Sequence, residues 1–430
     1  MSDFPQSRPT RRKVLQWLAT GAAGGAGAAL VPGCSRHLQH GQEGGPSATG
    51  NKTTKKSFVP HDKRLLVLIE LVGGNDGLSV LVPRADGRYH DMRPSLALDG
   101  AEVFDIGHDM ALNTSLAGMY RHGMAVVAGI GCRSPTLSHF DMRLRWNAGT
   151  PELPGGGNAK TGFLGRLCDR IGGVSQFTGV SLNRYGTSGL LSTRPNTVAL
   201  SATDATRPFL HESANAQTYF RQALTSLGAA TDGGSGFEAS RGAIARVVEL
   251  EQRIVALPPA VGYEVGGEAS APFRSQLQLA SRLLRSGADV RVIHIPIAGA
   301  DFDTHVNHRE RHSLLMNIVA EGVEAFRADL QASGLAERVL IATMSEFGRR
   351  PQEGAGGLDH GTASCAMLMG PVVAGLHGEQ PSLRALDSSD NLVATVSFAR
   401  YLATMAAWLD IDPGSVLDGG PKPLDGLLAQ

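Results

Sequence analysis

Short apolar runs recur along the chain, and most of them end at glycine or at polar residues. The clearest run covers residues 64–72 and is closed by Gly73-Gly74. A nearly continuous apolar run of this length is typical of a strand buried on both faces, as in a parallel sheet. The pattern therefore predicts buried strands here and in four further runs, at residues 124–130, 290–297, 338–344 and 365–369.

Between the apolar runs, hydrophobic residues recur at the spacing of an α-helix. Apolar residues between Leu314 and Leu330 fall on one helical stripe, and residues 273–284 and 393–409 have the same spacing. Strands that alternate with helices form crossover units in a mostly parallel sheet. The sequence therefore predicts the α/β class, with a mostly parallel central sheet and helices on both faces.

We divide the chain into three parts. Residues 1–34 form a targeting signal, residues 35–60 a flexible tether rich in small polar residues, and residues 61–430 a single α/β domain. The Gly- and Pro-containing stretches at 231–235 and 257–271 are interpreted as loops within that domain, because strands on both sides complete one sheet.

The N-terminus has the pattern of a twin-arginine export signal. Arg11-Arg12 precede a short, mildly apolar run over residues 17–31, which is too short for a confident membrane span. We therefore expect an exported protein of the periplasm or cell envelope, without a multi-pass membrane segment. Cys34 ends a lipobox-like sequence, which leaves open a lipid anchor, simple cleavage or a retained signal anchor.

Charge and cysteine content narrow the functional classes. The 430 residues include 40 Lys plus Arg and 40 Asp plus Glu, so the net charge is zero and a general nucleic-acid binder is disfavoured. The mature part has three cysteines, Cys132, Cys168 and Cys365, which we expect to be buried as small apolar residues rather than to form a disulfide framework.

Acidic residues and histidines follow the predicted strands, or in the last case precede one. In open α/β sheets, ligands bind beyond the carboxyl ends of the strands, so the first four groups are expected on one rim. The candidate residues are Asp76 after the first strand, Ser138 and His139 after the second, Asp301, Asp303 and His305 after the third, Glu346 and Arg349 after the fourth, and Asp359 and His360 before the fifth.

These residue types are suited to a divalent metal such as Zn²⁺ or Mn²⁺, which accepts carboxylate and imidazole ligands. Asp303 and His305 are two residues apart, so both side chains of an extended segment point the same way, and His360 is the predicted third ligand. Asp76 and Glu346 are expected to hold a second ion or to orient the ligands of the first.

Two further residues have candidate catalytic roles. Ser138 opens a predicted helix, where a hydroxyl beside a metal can act as a nucleophile and the helix N-terminus favours an anion. Arg349 is predicted to clamp a tetrahedral oxyanion.

Structural alternatives stand beside these roles. Asp76 in Asn-Asp-Gly can shape a turn, Ser138 can be only an N-cap, and Glu346 can pair with Arg349. His308 and His312 share a helix face and are interpreted as surface or supporting residues, whereas His294 within a strand is expected to be a hydrogen-bonded core histidine.

Five ordered motifs resemble domain-of-unknown-function family 1501. They are Leu68 to Leu78 with Gly73-Gly74-Asn75-Asp76-Gly77, then Ser138-His139-Phe140, Phe302-Asp303-Thr304-His305, Ser345-Glu346-Phe347-Gly348-Arg349 and Asp359-His360-Gly361-Thr362. The resemblance covers essentially all of the chain after the tether. It implies export by a twin-arginine signal but no activity, because none is established for the family as a whole.

That family in turn resembles the alkaline phosphatase and sulfatase superfamily. By motif order the resemblance implies that Asp76, Asp303, His305, Glu346 and His360 match metal-ligand positions and that Ser138 matches the nucleophile. Ser345-Glu346 replaces the superfamily's Asp-His pair, and this removes a nitrogen ligand from the second metal site. In Cys132-Arg133-Ser134-Pro135 the proline is misplaced by one position, which disfavours a formylglycine sulfatase.

The leading hypothesis is an exported metal-dependent hydrolase or transferase of phosphate or sulfate esters, with a small anionic ester or an envelope polymer as its partner. The rival is a non-catalytic exported binding or assembly protein with a degenerate metal site. In a third hypothesis, the acids and histidines bind a polysaccharide or cell-wall ligand without turnover.

Overall fold

The computed structural model describes residues 64–151, 160–172, 177–183, 186–194, 196–200, 222–223, 225–228, 235–257, 263 and 267–429. The predicted signal, Cys34 and the predicted tether lie outside the described residues. The strands are β1 (Leu65–Glu70), β2 (Leu81–Val82), β3 (Val103–Gly107), β4 (Met110–Asn113), β5 (Ala125–Gly131), β6 (Gly179–Ser181), β7 (Thr197–Ala199), β8 (Val292–Pro296), β9 (Val339–Met344), β10 (Ser364–Met369), β11 (Gly375–His377) and β12 (Val396–Ser397).

The helices alternate with these strands over most of the described chain. They are α1 (Gly77–Val80), α2 (Gly87–Met92), α3 (Ala117–Arg121), α4 (His139–Ala148), α5 (Phe163–Ile171), α6 (Ser235–Val255), α7 (Ala271–Arg285), α8 (His308–Ala332) and α9 (Phe398–Trp408).

A nine-stranded sheet forms the centre of the protein. Its order is β11-β5-β10-β9-β1-β8-β6-β7, with β12 paired to β5. All pairings between these strands are parallel except those of β10, which runs antiparallel to both β5 and β9. The residues before β10 therefore lie at the same edge as the residues after β1, β5, β8 and β9.

Both faces of this sheet are covered. Leu65, Val67 and Ile69 of β1 belong to one apolar cluster together with α6, α7 and α8, whereas Leu66 and Leu68 belong to a second cluster with α4, α5 and α9. Successive side chains of a strand point to opposite faces, so each continuous apolar run supplies both clusters. The predicted fold class is confirmed.

The local predictions differ from the structure in two places. Residues 393–397 are not helical, since Val396 and Ser397 form β12, and the helix α9 begins only at Phe398. A small antiparallel sheet, in the order β2-β4-β3, was not predicted from the sequence.

Two other predictions concern the cysteines and the membrane. Cys132, Cys168 and Cys365 are buried and free, as expected. Among the described residues, no helix combines the length and the apolar character needed to cross a bilayer.

Candidate metal centre

Three potential metal ligands meet at the edge of the sheet although they are far apart in sequence. His139 is the first residue of α4 after β5, Asp303 follows β8, and His360 precedes the reversed strand β10. One ligand atom from each lies within 4.8 Å of the other two. The antiparallel direction of β10 is what brings His360 to the edge reached by the other two.

His305 extends this group, which we call the Asp303 cluster: Asp303, His139, His305 and His360. The Nε2 atom of His305 lies 3.0 Å from Oδ1 of Asp303 and 3.0 Å from Nε2 of His360. The Nε2 atom of His360 is 3.3 Å from the same carboxylate oxygen, and that of His139 is 3.6 Å from Oδ2. Imidazole nitrogens therefore approach both oxygens of one carboxylate.

The outer nitrogen of each imidazole is held by an oxygen. Nδ1 of His139 lies 2.8 Å from Oε1 of Glu346, Nδ1 of His360 lies 2.7 Å from the Leu137 carbonyl oxygen, and Nδ1 of His305 lies 3.2 Å from Oδ1 of Asp359. A carbonyl or carboxylate oxygen only accepts, so each Nδ1 can donate a hydrogen bond to its partner.

This arrangement fits a divalent cation. The Nε2 atoms of His305 and His360 face each other beside the Asp303 carboxylate, at distances that one ion about 2.1 Å from each atom can span. Metal-binding histidines usually donate a hydrogen bond from the ring nitrogen that does not bind the metal to a carbonyl or carboxylate oxygen. The cluster is also partly open, because the side chains of Asp303 and His139 are 33% and 28% exposed.

Glu346 lies under the cluster and not in it. Its side chain is fully buried, and Oε1 accepts hydrogen bonds from Nδ1 of His139 and, at 2.9 Å, from the Gly73 amide. The hydrogen bond from His139 to Glu346 raises the pKa of that imidazole, against the effect of partial burial. Glu346 therefore holds His139, and it does not form an ion pair with Arg349.

Arg349 has a different environment from the one expected of an oxyanion clamp. Its guanidinium is fully buried and donates to the carbonyl oxygens of Gly73, Gly74, Leu358 and Phe302 and to Oδ1 of Asp303, the last at 2.6 Å. Because the guanidinium is buried among these oxygens, it is not accessible to a ligand at the rim. Although burial alone would raise it, the hydrogen bond and charge of Arg349 lower the pKa of Asp303.

Asp76 also differs from the prediction that it holds a second ion. Both of its oxygens face the Arg93 guanidinium, at 2.6 and 3.0 Å, and Oδ2 lies 3.2 Å from Nε2 of His308. Asp76 also caps α1, accepting from the Leu78 amide. Burial opposes its charged form, but the charges and hydrogen bonds of Arg93 and His308 together outweigh burial and hold the pKa of Asp76 well below its usual range. Arg93 had no signal in the sequence that pointed to this role.

The prediction that His308 and His312 lie at the surface was wrong, whereas their supporting role stays a prediction. Both are buried, and their rings stack with centroids 5.0 Å apart. His308 contacts Thr304 through Nδ1 at 2.7 Å, and His312 contacts Oδ1 of Asn75 through Nε2 at 3.0 Å. Polar partners on neighbouring loops make these imidazoles compatible with the interior.

The remaining candidates lie at the rim. Ser138 is exposed and is the N-cap of α4, where its hydroxyl accepts a long, 3.5 Å hydrogen bond from the Asp141 amide. Oδ1 of Asp301 accepts from the Asp303 amide at 3.0 Å, so Asp301 shapes the loop. Asp359 is 75% exposed and contacts His305.

A second charged group was not found from the sequence. Glu70, at the end of β1, is fully buried between Nε2 of His294, at 3.0 Å, and Nε of Arg143, at 2.7 Å. Burial opposes ionisation, yet these two partners lower the pKa of Glu70 to about 2. Ser181 contacts the other ring nitrogen of His294 at 3.2 Å, which confirms His294 as a hydrogen-bonded core residue. The sequence feature that could have identified Arg143 is its spacing of four residues from His139, which places both side chains on the same side of a helix.

The chain belongs to the family described as "Protein of unknown function (DUF1501)", whose model matches residues 108–421. No curated protein sequence matches the chain.

Several solved structures resemble the chain remotely. One is the wild-type alkaline phosphatase PafA, with 10% identity and a TM-score of 0.44 over 86% of this chain and 99% of the phosphatase. Another is the sulfatase PsFucS1 from Pseudoalteromonas sp., with 11% identity and a TM-score of 0.38 over 84% of this chain and 71% of the sulfatase. A third is the lipoteichoic acid synthase LtaP from Listeria monocytogenes, with 8% identity and a TM-score of 0.36 over 84% and 74%. At such identities, no residue role is transferred from them.

Proposed function

We propose that the protein is a metal-dependent hydrolase or transferase of phosphate or sulfate esters that acts outside the cytoplasm. The observation that carries this proposal is the Asp303 cluster, in which three imidazoles held through Nδ1 turn their Nε2 atoms toward one partly exposed carboxylate. Such a set of oxygen and nitrogen donors suits Zn²⁺ or Mn²⁺, and one ion is the number that this cluster can hold.

The residues around the cluster support ester chemistry. A bound divalent cation supplies positive charge that lowers the pKa of a nearby hydroxyl or water and stabilises negative charge on an ester oxygen. Ser138 is the proposed nucleophile, because its exposed hydroxyl stands between Leu137, whose carbonyl holds His360, and His139. The first-turn amides of the ten-residue helix α4 favour an anion at the same edge.

The test combines metal content with turnover. Mature protein, His360→Ala and the control His122→Ala are purified and analysed for Zn and Mn, since His122 is an exposed histidine outside the cluster. We expect about one ion per chain in the wild type and the control, and a large loss in His360→Ala. Phosphate and sulfate monoesters and diesters are then screened with added Zn²⁺ or Mn²⁺. Ester hydrolysis that Ser138→Ala abolishes would support the proposal that the protein is an enzyme. A wild-type protein without bound metal would contradict that proposal.

One observation favours the rival, a non-catalytic exported binding or assembly protein. Asp76 is saturated by Arg93 and His308, so the described residues leave no second cation site around it. Bound metal without turnover of any ester in the screen would select this rival.

The proposed location rests on Arg11-Arg12 and the apolar run that follows them. We expect an Arg11→Lys, Arg12→Lys double variant to accumulate in the cytoplasm of a twin-arginine-competent host, as cell fractionation would reveal. A lipid anchor predicts that Cys34 incorporates a labelled fatty acid and that Cys34→Ala releases the protein from membranes. Without a lipid, both forms fractionate alike.

A further inference from the structure

Arg143 is a cation fixed beside the Asp303 cluster. Its Nε donates to Oε1 of Glu70 at 2.7 Å, and the other oxygen of Glu70 contacts His294 at 3.0 Å. Because Glu70 and His294 are both buried, this carboxylate has little freedom, and it fixes the direction of the guanidinium.

The outer edge of this guanidinium is available. No described residue accepts a hydrogen bond from either terminal nitrogen of Arg143, and the side chain is 38% exposed. Arg349, by contrast, is fully buried and donates only to protein oxygens. Arg143 therefore has the free paired donors that Arg349 lacks.

Helix geometry places Arg143 on the side of α4 that carries His139. Residues four apart lie one above the other on a helix, and His139 is the first residue of α4. Glu346 connects the two, since it accepts from His139 and lies close enough to Arg143 to favour its charged form. Glu70 is the last residue of β1, and Gly73, whose amide donates to Glu346, follows three residues later. The two carboxylates are therefore held near the same end of β1.

We propose that Arg143 binds the terminal oxygens of a tetrahedral anionic group, phosphate or sulfate, whose remaining oxygens face the Asp303 cluster. This assignment rests on the proposed function, and it deepens it by naming the residue that recognises the anion. Two parallel donors of a guanidinium match two oxygens of such a group. Glu70 is then a positioning residue, which acts by holding Nε so that the outer edge faces the rim.

The test measures anion binding directly. Inorganic phosphate and, separately, sulfate are titrated calorimetrically into Zn-loaded wild type, Arg143→Gln, Arg143→Lys and the control Arg145→Gln. Arg145 lies on the same helix but forms an ion pair with Asp141 and donates through Nη1 to the carbonyls of Ser134 and Pro151. Loss of charge-assisted hydrogen bonds predicts about ten- to hundredfold weaker binding in Arg143→Gln. We expect partial retention in Arg143→Lys and no change in the control.

Folding and metal content are measured on every variant, so that a damaged fold is not mistaken for lost recognition. Glu70→Gln serves as a second variant, which keeps Arg143 but weakens its attachment and is expected to weaken phosphate binding less than Arg143→Gln does.

The possible outcomes separate this inference from the proposed function. If Arg143→Gln binds phosphate as the wild type does, while His360→Ala loses metal, the proposed role of Arg143 is wrong and the proposed metal centre is supported. If the wild type holds no metal, the hydrolase proposal fails, and the same titration of metal-free protein still decides the role of Arg143. Absence of phosphate and sulfate binding in the wild type overturns the assignment.

Discussion

Two groups of acids and histidines lie near the same edge of the sheet, and they differ in how completely their polar atoms are satisfied. In the buried group, Asp76 faces Arg93 and His308 and has no solvent exposure. In the Asp303 cluster, the carboxylate is 33% exposed and several imidazole nitrogens converge on it. The charge of the buried group is neutralised internally, whereas the atoms that converge in the cluster are potential ligands of a cation.

This difference shows why residue type and motif position do not define a ligand site. Asp76 and Asp303 both follow buried strands, and both were expected to bind metal. An arginine meets each carboxylate, but Arg93 engages both oxygens of Asp76. Arg349 engages only Oδ1 of Asp303, an oxygen that two imidazoles also approach, and Oδ2 faces a third imidazole. A carboxylate whose oxygens are all taken up by an arginine forms a structural ion pair, whereas one with lone pairs still available can belong to a metal site.

Removing Arg93 is expected to have the largest effect. Arg93→Met leaves the Asp76 carboxylate buried without its main partner, which costs about 3–5 kcal/mol of stability. Thermal and urea unfolding of the metal-free protein measure this cost, and metal content of the folded fraction should stay unchanged. The double variant Arg93→Met, Asp76→Asn should regain part of the loss. A change below about 1 kcal/mol would contradict internal neutralisation.

Asp303→Ala tests the opposite group. Because Asp303 lies at the centre of the converging nitrogens, its loss should weaken Zn²⁺ binding by more than about a hundredfold, beyond what a supporting residue contributes. Competition with a chromophoric chelator measures the affinity. Asp410→Ala, at an exposed carboxylate that pairs with Arg64 outside the cluster, is the control and should bind Zn²⁺ normally. Equal losses in the two variants would remove the distinction between them.

Glu346→Gln should have a smaller effect on the same affinity. The amide oxygen can still accept from His139, but the negative charge that favours this orientation is gone, so we expect a loss of about ten- to hundredfold. Glu102→Gln, at an exposed ion pair with Arg309, is the control. An affinity equal to that of the wild type would show that the contact of 2.8 Å between Glu346 and His139 does not support the centre.

Acid should weaken the buried group first. Burial lowers the pKa of His312 from 6.5 to about 3, so the folded state prefers the neutral imidazole. Its stabilising contribution is complete above pH 6.5 and is lost as the pH falls toward 3, with about 1 kcal/mol gone by about pH 5.5. The pH dependence of unfolding should show this loss, and His312→Gln should lack it. Glu70, whose folded pKa is about 2, contributes its full stabilisation above about pH 4.5 and loses it only as the pH falls from there toward 2.

The sequence was most informative where long apolar runs and polar strand ends coincide. The runs at β1, β5, β8 and β9 predicted buried strands, and the positions after them predicted the rim that holds Asp303 and His139. Three-residue strands such as β6 and β7 are too short to leave a pattern. Residues 393–397 kept a helical spacing of apolar residues, but pairing with β5 made them extended.

The roles of individual charged residues depended on contacts that spacing does not encode. Arg93 is 17 residues from Asp76, and Arg349 is 46 residues from Asp303, so the partner of each acid is set by tertiary packing. For the same reason, the interior position of His308 and His312 could not be deduced from an apolar stripe. The direction of β10, which decides where His360 lies, is also a property of the whole sheet.

The environment of Arg349 has a consequence for the order of assembly. Its guanidinium donates to the backbone carbonyls of Gly73, Phe302 and Leu358. More than two hundred residues separate the first two of these positions, and more than fifty separate the last two. Gly73 has a φ of 114° there, and a Cβ would stand 2.4 Å from the Asp303 nitrogen, so the segments meet with no spare room. The cluster therefore forms only when segments from Gly73 to His360 have met, so a nascent polypeptide completes it late, once β10 has paired with β5 and β9.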